Sequence, residues 1–171
     1  TQRDAERSLE RFRPVDFDEE AEAGPWRLRL RPAGHILGAG FAELSADGHR
    51  ILFSGDLGRA DSPTMAAPAA PAAADWVVVE STYGDRDHRC GEETLDELAD
   101  ILQQAHRDGG NVLIPSFAVG RTQDLIFYLG RFYQEGRLPQ QAVFLDSPMA
   151  IRANAIYSRF QHQFNSEDRA L

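Results

Sequence analysis

The sequence contains no lysine, so all 18 of its basic residues other than histidine are arginines. Its acidic residues number 27, and the net charge of −9 argues against a broad basic surface for nucleic acid, because such surfaces bind mainly by neutralising phosphates. Arginine can nevertheless hold phosphate oxygens through two parallel hydrogen bonds, whereas lysine acts as a point charge. The composition therefore favours local arginine–phosphate contacts over a general electrostatic footprint.

Cysteine and long apolar runs are also scarce. The single cysteine, Cys90, excludes an internal disulfide framework and favours a cytoplasmic protein. Because no second cysteine can complete a thiolate metal site, we interpret Cys90 as a loop residue without a chemical role. No apolar segment approaches the roughly 20 residues that a membrane-spanning helix needs, so no membrane partner is expected.

The spacing of apolar residues predicts two halves of different character. The first half should contain one helix, an acidic connector and three strands: 2–12, 16–24, then 26–31, 41–45 and 50–53, the last two joined by a turn at Asp47-Gly48. An Ala/Pro-rich stretch over 63–74 is interpreted as a surface loop, with a short helix in it as an alternative, and without chemistry. The second half should alternate strands with helices: 76–79, 92–106, 111–114, 121–134, 142–145 and 148–160. This alternation indicates a mainly parallel, buried sheet.

The same spacing predicts which residues of the three later helices face inward. The predicted inward residues, in chain order, are Leu95, Leu98, Leu102 and Ala105, then Leu125, Leu129 and Phe132, then Met149, Ala153, Ile156 and Phe160.

Five predicted strands are followed by side chains that can bind a metal ion or an anion. In chain order these side chains are His35, Asp56, Glu80, Ser116 and Ser147. In open α/β sheets, ligands bind at the carboxyl ends of the strands. Strand-terminal Asp and Ser are also common turn and cap residues, so each taken alone favours a structural role, but five such strand ends in one chain indicate a shared site.

His35 and Asp56 have the chemistry of a metal site. Imidazole and carboxylate groups are standard zinc ligands. Glycines beside both residues allow the backbone to approach a bound ion closely. A metal ion is also one way to neutralise a carboxylate at the end of an apolar strand.

A phosphate site is predicted near the starts of the later helices. Ser116 lies five residues before Arg121, so a hydroxyl, the amides of a helix start and a guanidinium can converge on one phosphate. Ser147-Pro148 is a favourable helix start, with serine as the cap and proline as the first helical residue. For Ser147, a capping role and an anion-binding role both stay open.

Five strings of the sequence, in this order and spacing, resemble the motifs of one family. AGHILG (33–38) and FSGDLG (53–58) resemble the third and fourth metal-ligand motifs of metallo-β-lactamase-fold hydrolases. ESTYGD (80–85) resembles the first motif of the β-CASP branch of that fold. IPSFAVGR (114–121) and DSPMA (146–150) resemble the opening strands of the domain inserted in that branch. The resemblance covers roughly residues 26–164.

The resemblance implies an α/β fold with two incomplete parts. Residues 1–84 would form part of a metallo-β-lactamase αββα sandwich, and residues 85–171 would form the start of a Rossmann-like β-CASP domain with a parallel sheet. The implied activity is zinc-dependent hydrolysis of phosphodiester bonds in RNA, by an endo- or exoribonuclease. The implied partner is RNA, with single-stranded DNA as an alternative, and a homodimer is compatible with the family.

The resemblance also implies roles for individual residues. His35 would bind one metal ion, and Asp56 would bridge two zinc ions that activate a hydroxide for attack on the phosphate. Glu80 would be an acid beside the metal ligands that orients a histidine or helps protonate the leaving oxygen. The nucleic-acid backbone would be held by three residues: Ser116, Arg121 and Ser147.

The His-x-His-x-Asp-His motif, which supplies most of the metal ligands in this family, is absent from the sequence. Two ligands cannot hold a zinc pair, since even one catalytic zinc normally takes three protein ligands. We therefore expect the chain to be a piece of a longer protein, here called the parent protein, and to be inactive and weakly zinc-binding by itself.

Two other functions are alternatives. A non-catalytic RNA-binding or scaffold subunit of the same fold is disfavoured by the presence of the candidate metal-site residues His35, Asp56 and Glu80. A small-molecule hydrolase of this fold, such as a thioesterase or lactonase, does not explain the motifs around Glu80, Ser116 and Ser147.

Overall fold

The structure is a computed structural model that describes residues 1–164. Its elements in chain order are α1 (Gln2–Leu9), β1 (Glu20–Ala23), β2 (Trp26–Pro32), β3 (Gly40–Ala46), β4 (His49–Phe53), β5 (Trp76–Val78), α2 (Gly91–Arg107), α3 (Arg121–Gln134), α4 (Pro148–Arg159) and a 3-10 turn (Gln161–Gln163). The chain is therefore mixed α/β, as predicted. The division at residue 84 stays a prediction, and residues 165–171 of the second predicted unit lie outside the described residues. None of the described helices is long and apolar enough to cross a membrane.

The five strands form one sheet in the order β1-β2-β3-β4-β5. The first four strands are antiparallel neighbours, and β5 pairs parallel to β4. The turn between β3 and β4 is at Asp47-Gly48, where φ is 50° and 78°, the left-handed geometry that a tight two-residue hairpin requires. This turn confirms the prediction. β1 was not predicted, because its Glu-Ala-Glu-Ala sequence has little strand propensity and becomes a strand by pairing with β2.

Helices α2 and α3 pack together through the faces that the sequence predicts. Their shared core consists of Ala99, Leu102, Phe132 and Leu138, with Leu95, Leu98, Leu129 and Tyr133 packed against it. The predicted inward face of α4 is wrong apart from Ala153. Met149 and Ile156 are 61% and 50% exposed, and the buried residues are Ala150, Ala153 and Tyr157. A polar contact contributes to this orientation, because the Gln123 side-chain amide donates to Asn154 Oδ1 at 2.6 Å.

Two strands predicted in the second half, over 111–114 and 142–145, are not formed in the part of the chain that the structure describes. Leu113 and Phe144 are 91% and 89% exposed. Their apolar sequences favour strands, but a strand also needs a neighbour that pairs with its backbone N–H and C=O groups. Of the three strands predicted in this half, only β5 has such a neighbour, and it provides the parallel pairing.

The Ala/Pro-rich stretch over 63–74 contains no helix or strand, but it is more than a surface loop. The Ala69 N–H donates to the Pro32 carbonyl oxygen at 2.9 Å, and the Ala72 N–H donates to the carboxylate of buried Glu43 at 2.9 Å. A Cβ on Gly34 would lie 2.7 Å from the carbonyl oxygen of Ala66. The stretch is therefore a strap that lies directly against the residue before His35.

Candidate active site

The topology brings three of the predicted strand ends to one edge of the sheet. Strands β2 and β4 are each antiparallel to β3, so they run in the same direction, and β5 runs parallel to β4. The carboxyl ends of all three strands therefore lie at the same edge. His35, Asp56 and Glu80 follow these three ends.

The loop that carries His35 and the loop that carries Asp56 are in direct backbone contact. The Gly58 N–H donates to the Ala33 carbonyl oxygen at 2.8 Å. A Cβ on Gly58 would overlap the carbonyl group of Gly34 and lie 2.5 Å from the His35 nitrogen. Only glycine at position 58 allows this approach, so the two candidate ligand loops are held side by side.

Glu80 connects the third loop to the other two. One carboxylate oxygen of Glu80 accepts a hydrogen bond from the Leu57 N–H at 3.0 Å, and the other accepts from the Thr82 N–H at 3.3 Å. The Glu80 N–H donates to the hydroxyl oxygen of Ser54, which is buried, at 2.9 Å. The carboxylate is thus anchored to the residue that follows Asp56.

The same contacts control the charge of Glu80. The Leu57 N–H, then the hydroxyl and N–H of Thr82, and more weakly the nearby His35, hold the pKa of Glu80 below its ordinary value. Hydrogen bonds from amides to a carboxylate stabilise its ionised form. Glu80 is therefore a carboxylate at neutral pH.

His35 and Asp56 offer two metal ligands, but the described residues do not complete a metal site. Both side chains are exposed, and neither has a side-chain hydrogen bond within residues 1–164. Over the same residues, no three or more His, Cys, Asp or Glu side chains are arranged to hold a metal ion. The donor chemistry fits a metal ion, whereas the number of donors does not.

Ser116 and Arg121 lie together at the start of α3. The Thr122 hydroxyl donates to the Phe117 carbonyl oxygen at 2.6 Å and lies 3.3 Å from the Ser116 Oγ. This contact folds the segment before α3 back onto the first turn of the helix. Both Ser116 and Arg121 are exposed, so both can reach a ligand at the helix start.

The start of α3 and the helix α4 both contact the loop after His35. Ile36 Cγ2 lies 3.0 Å from the position that a Cβ on Gly120 would occupy. The Leu37 N–H donates to the Tyr157 hydroxyl oxygen on α4 at 3.3 Å. The structure thus places the predicted phosphate-binding segment next to the predicted metal-ligand loop.

Ser147 is the N-cap of α4. Its hydroxyl oxygen accepts a hydrogen bond from the Ala150 N–H at 3.2 Å, with Pro148 in the first turn. The capping role predicted as one alternative is confirmed. Anion binding by Ser147 stays a prediction.

Sequence reasoning missed three residues that shape this site. Ser54 had a usable signal, since a serine directly before Gly55-Asp56 can bond to a neighbouring loop. Tyr157 and Thr64 had none. Their hydrogen bonds, to Leu37 and Asp124, join residues that are 120 and 60 positions apart.

Substitution of Gly58 by alanine should destabilise the chain by about 1–3 kcal/mol, because the added Cβ collides with backbone atoms that cannot rotate away. Urea unfolding followed by circular dichroism measures the change. The matched control is Gly130→Ala, in the middle of α3, where a Cβ meets nothing within 4 Å. That variant should be about 0.5–1 kcal/mol more stable than wild type. Equal stability of the Gly58→Ala variant and wild type would contradict the contact between the two loops.

Comparison with known proteins identifies relatives along nearly the whole chain. The family described as the Beta-Casp domain matches residues 122–171. Ribonuclease TTHA0252 of Thermus thermophilus is 39% identical over 168 residues, which cover 98% of this chain and 38% of that protein. Cleavage and polyadenylation specificity factor 73 of Drosophila melanogaster is 33% identical over 171 residues, which cover 99% of this chain and 25% of that protein. An RNase J-like protein of Methanocaldococcus jannaschii is 29% identical over 166 residues, which cover 95% of this chain and 39% of that protein.

The chain thus spans between a quarter and two fifths of the length of these relatives. Three findings agree with one another: the five motif strings, the α/β fold with its parallel β4–β5 pair, and the matches to RNA nucleases. Residues 122–171 thus match the Beta-Casp domain, and the chain is similar along nearly its whole length to RNA nucleases, as the resemblance of the five motif strings predicts.

Proposed function

We propose that the parent protein is a metal-dependent ribonuclease that hydrolyses phosphodiester bonds, with zinc as its metal. The observation that carries this proposal is the contact among three loops, which places His35, Asp56 and Glu80 at one edge of the sheet. Two of the relatives compared above are named as ribonucleases. We also propose that the protein is cytoplasmic, because its single cysteine, Cys90, leaves no pair for an internal disulfide in this chain.

In this proposal His35 and Asp56 contribute two metal ligands, and the remaining ligands come from elsewhere in the parent protein. Bound zinc would polarise the phosphate and supply a hydroxide nucleophile at neutral pH. The side chains of His35 and Asp56 are exposed, and the loops that carry them are joined by a backbone hydrogen bond. Such support from a rigid backbone is what a metal site needs for its ligands to be in position before the ion binds.

Glu80 positions the Asp56 loop in this proposal. Both of its oxygens accept hydrogen bonds from backbone amides, and its lowered pKa keeps it ionised. An ionised carboxylate has no proton to give to a leaving group. Orientation of the loop, rather than protonation of the leaving oxygen, is therefore the role that the geometry supports.

Ser116, Arg121 and Ser147 hold phosphates of the RNA backbone in this proposal. Arg121 is exposed and can bind two phosphate oxygens at once. The Ser147 oxygen accepts from the Ala150 N–H, yet its own hydroxyl hydrogen stays available for donation. Capping and phosphate binding are thus compatible at this residue. Because the net charge is −9, binding depends on these local contacts and not on a basic surface.

The test of this function is cleavage of end-labelled RNA by the parent protein. A chelator should abolish cleavage, and added zinc should restore it, because the metal supplies the nucleophile. A single-stranded DNA of the same sequence is assayed in parallel, and faster cleavage of DNA would assign the alternative substrate. Cleavage that survives exhaustive metal removal would contradict the proposal.

The isolated chain should bind zinc only weakly, because the described residues bring together two of the three or four ligands that a stable zinc site uses. Titration calorimetry at pH 7 measures this, with a His35→Ala variant as the control for binding elsewhere. We expect no saturation below roughly micromolar zinc, far short of the roughly 10–16 kcal/mol that complete structural sites contribute. Stoichiometric binding in the nanomolar range would contradict the expectation.

A further inference from the structure

The chain that leaves Asp56 runs directly to helix α3. This connector, residues 57–64, is bound to the other site loops at its beginning, through the N–H groups of Leu57 and Gly58. It ends at Thr64, which is only 3% exposed. The Thr64 hydroxyl donates to the Asp124 carboxylate at 2.6 Å. Asp124 lies in the first turn of α3, three residues after Arg121.

The surroundings make this hydrogen bond important for Asp124. Burial raises the pKa of the Asp124 carboxyl, whereas the Thr64 hydroxyl, and then the charges of Arg121 and Arg59, act in the opposite direction. Arg59 is itself paired with Asp61 through two hydrogen bonds, at 2.9 and 2.6 Å. The Thr64 hydroxyl is thus the direct side-chain partner of Asp124 among residues 1–164.

The connector also reaches α2. A Cβ on Gly91, the first residue of α2, would lie 3.7 Å from the Arg59 guanidinium and 3.9 Å from the Asp61 carboxylate. The connector therefore begins at the candidate metal ligand and meets the first turns of two helices. At α3 the contact is a short hydrogen bond from the buried Thr64 hydroxyl. Its geometry defines how far apart Thr64 and Asp124 lie and in which direction the hydroxyl points.

We propose that the Thr64–Asp124 hydrogen bond positions the first turn of α3, and with it Arg121, relative to the Asp56 loop. This proposal rests on the proposed ribonuclease function. Thr64 and Asp124 do not touch the RNA; they are positioning residues that act through Arg121. The bond links the Asp56 loop to the start of α3, which carries Arg121. These two parts of the site must be correctly placed relative to each other when a phosphate held by Arg121 meets the group that attacks it.

The test compares Thr64→Val with Thr64→Ser in the parent protein. Valine keeps the shape of threonine without its hydroxyl, and serine keeps the hydroxyl. Thr64→Val should lower kcat/KM for RNA cleavage about tenfold, because a small displacement at the reacting groups lowers the rate strongly. Thr64→Ser should stay within about threefold of wild type. Wild-type kcat/KM in the Thr64→Val variant would overturn the proposal.

A double-mutant cycle separates positioning from general stability. In an Arg121→Ala background, Thr64→Val should change kcat/KM by less than about twofold, because the group that it positions is gone. An unchanged tenfold loss in that background would show a merely structural role and overturn the proposal. If Thr64→Val does not fold, Asp124→Ala removes the same hydrogen bond from the other side and is tested in the same cycle.

Amide hydrogen exchange tests the contact without any activity. The Asp124 N–H donates to the Gly120 carbonyl oxygen, and the Gly120 N–H donates to Gln123 Oε1. Exchange of both amides should be faster in Thr64→Val than in Thr64→Ser, since the first turn loses its anchor. If the wild-type parent protein does not cleave RNA, the proposed ribonuclease function is wrong. Equal amide exchange in the two variants would independently overturn the proposal that the Thr64–Asp124 bond positions the first turn of α3.

Discussion

Asp56→Ala should lower the rate of RNA cleavage by the parent protein by about 10³-fold or more, because a metal ion that loses a ligand loses several kcal/mol of transition-state stabilisation. The fold should be unaffected. The Asp56 side chain is exposed and has no hydrogen bond within the described residues, so the unfolding free energy should change by less than about 0.5 kcal/mol. Single-turnover cleavage of end-labelled RNA and urea unfolding measure the two effects.

The matched control for Asp56→Ala is Asp61→Ala. Asp61 is an exposed carboxylate on the same connector, and its ion pair with exposed Arg59 is of a kind that typically contributes about 0–1 kcal/mol. Its removal should change cleavage by less than about threefold. If Asp56→Ala cleaves RNA as fast as wild type, Asp56 is not a metal ligand that cleavage depends on.

Glu80→Gln should lower cleavage by about 10–100-fold, the usual loss when a group that supports metal ligands is replaced. Glutamine has one acceptor oxygen, whereas Glu80 accepts from two backbone amides, those of Leu57 and Thr82. The glutamine NH₂ group would face one of these N–H donors without an acceptor between them. The residue after Asp56 then loses its anchor, and the Asp56 loop shifts.

The same variant should change how stability depends on pH. The pKa of Glu80 is lower in the folded chain than its ordinary value of 4.5, so the folded state binds fewer protons than the unfolded state just below pH 4.5. Its ionised carboxylate therefore stabilises the fold above that pH, and this contribution is lost as the pH falls through the lowered pKa. The difference in urea midpoint between wild type and Glu80→Gln should therefore be smaller in acid, below pH 4.5, than at neutral pH.

Glu97→Gln is the control for the effect of Glu80→Gln on cleavage. Glu97 is an exposed residue of α2 whose carboxylate pairs with exposed Arg89, so its replacement should leave cleavage within error of wild type. Wild-type cleavage by Glu80→Gln would mean that the bonds to Leu57 and Thr82 do not position the Asp56 loop.

Features with a local cause were predictable from the sequence. The Asp47-Gly48 turn follows from two residues that tolerate positive φ, and the start of α4 follows from serine as cap and proline behind it. The predicted bounds of α3, 121–134, agree with the structure, because its apolar residues repeat at helical spacing. Each of these signals lies within a few residues of the feature that it determines.

Features that depend on a distant neighbour were not predictable. β1 forms from an acidic sequence because β2 lies beside it, and residues 111–114 do not form a strand because no neighbour pairs with them within the described chain. The buried face of α4 differs from the predicted one because Tyr157 bonds to Leu37, far away in the sequence.

The sequence by itself determined which groups are candidates for the chemistry, since His35, Asp56 and Glu80 follow strands whose apolar residues are evident in the chain. Only the tertiary structure decided that these groups share an edge, because strand direction depends on the pairing of β2, β3, β4 and β5. It also decided the contact between Thr64 and Asp124. A hydrogen bond between residues 60 positions apart leaves no pattern in either segment, since each donor or acceptor is satisfied by a partner that local spacing does not specify.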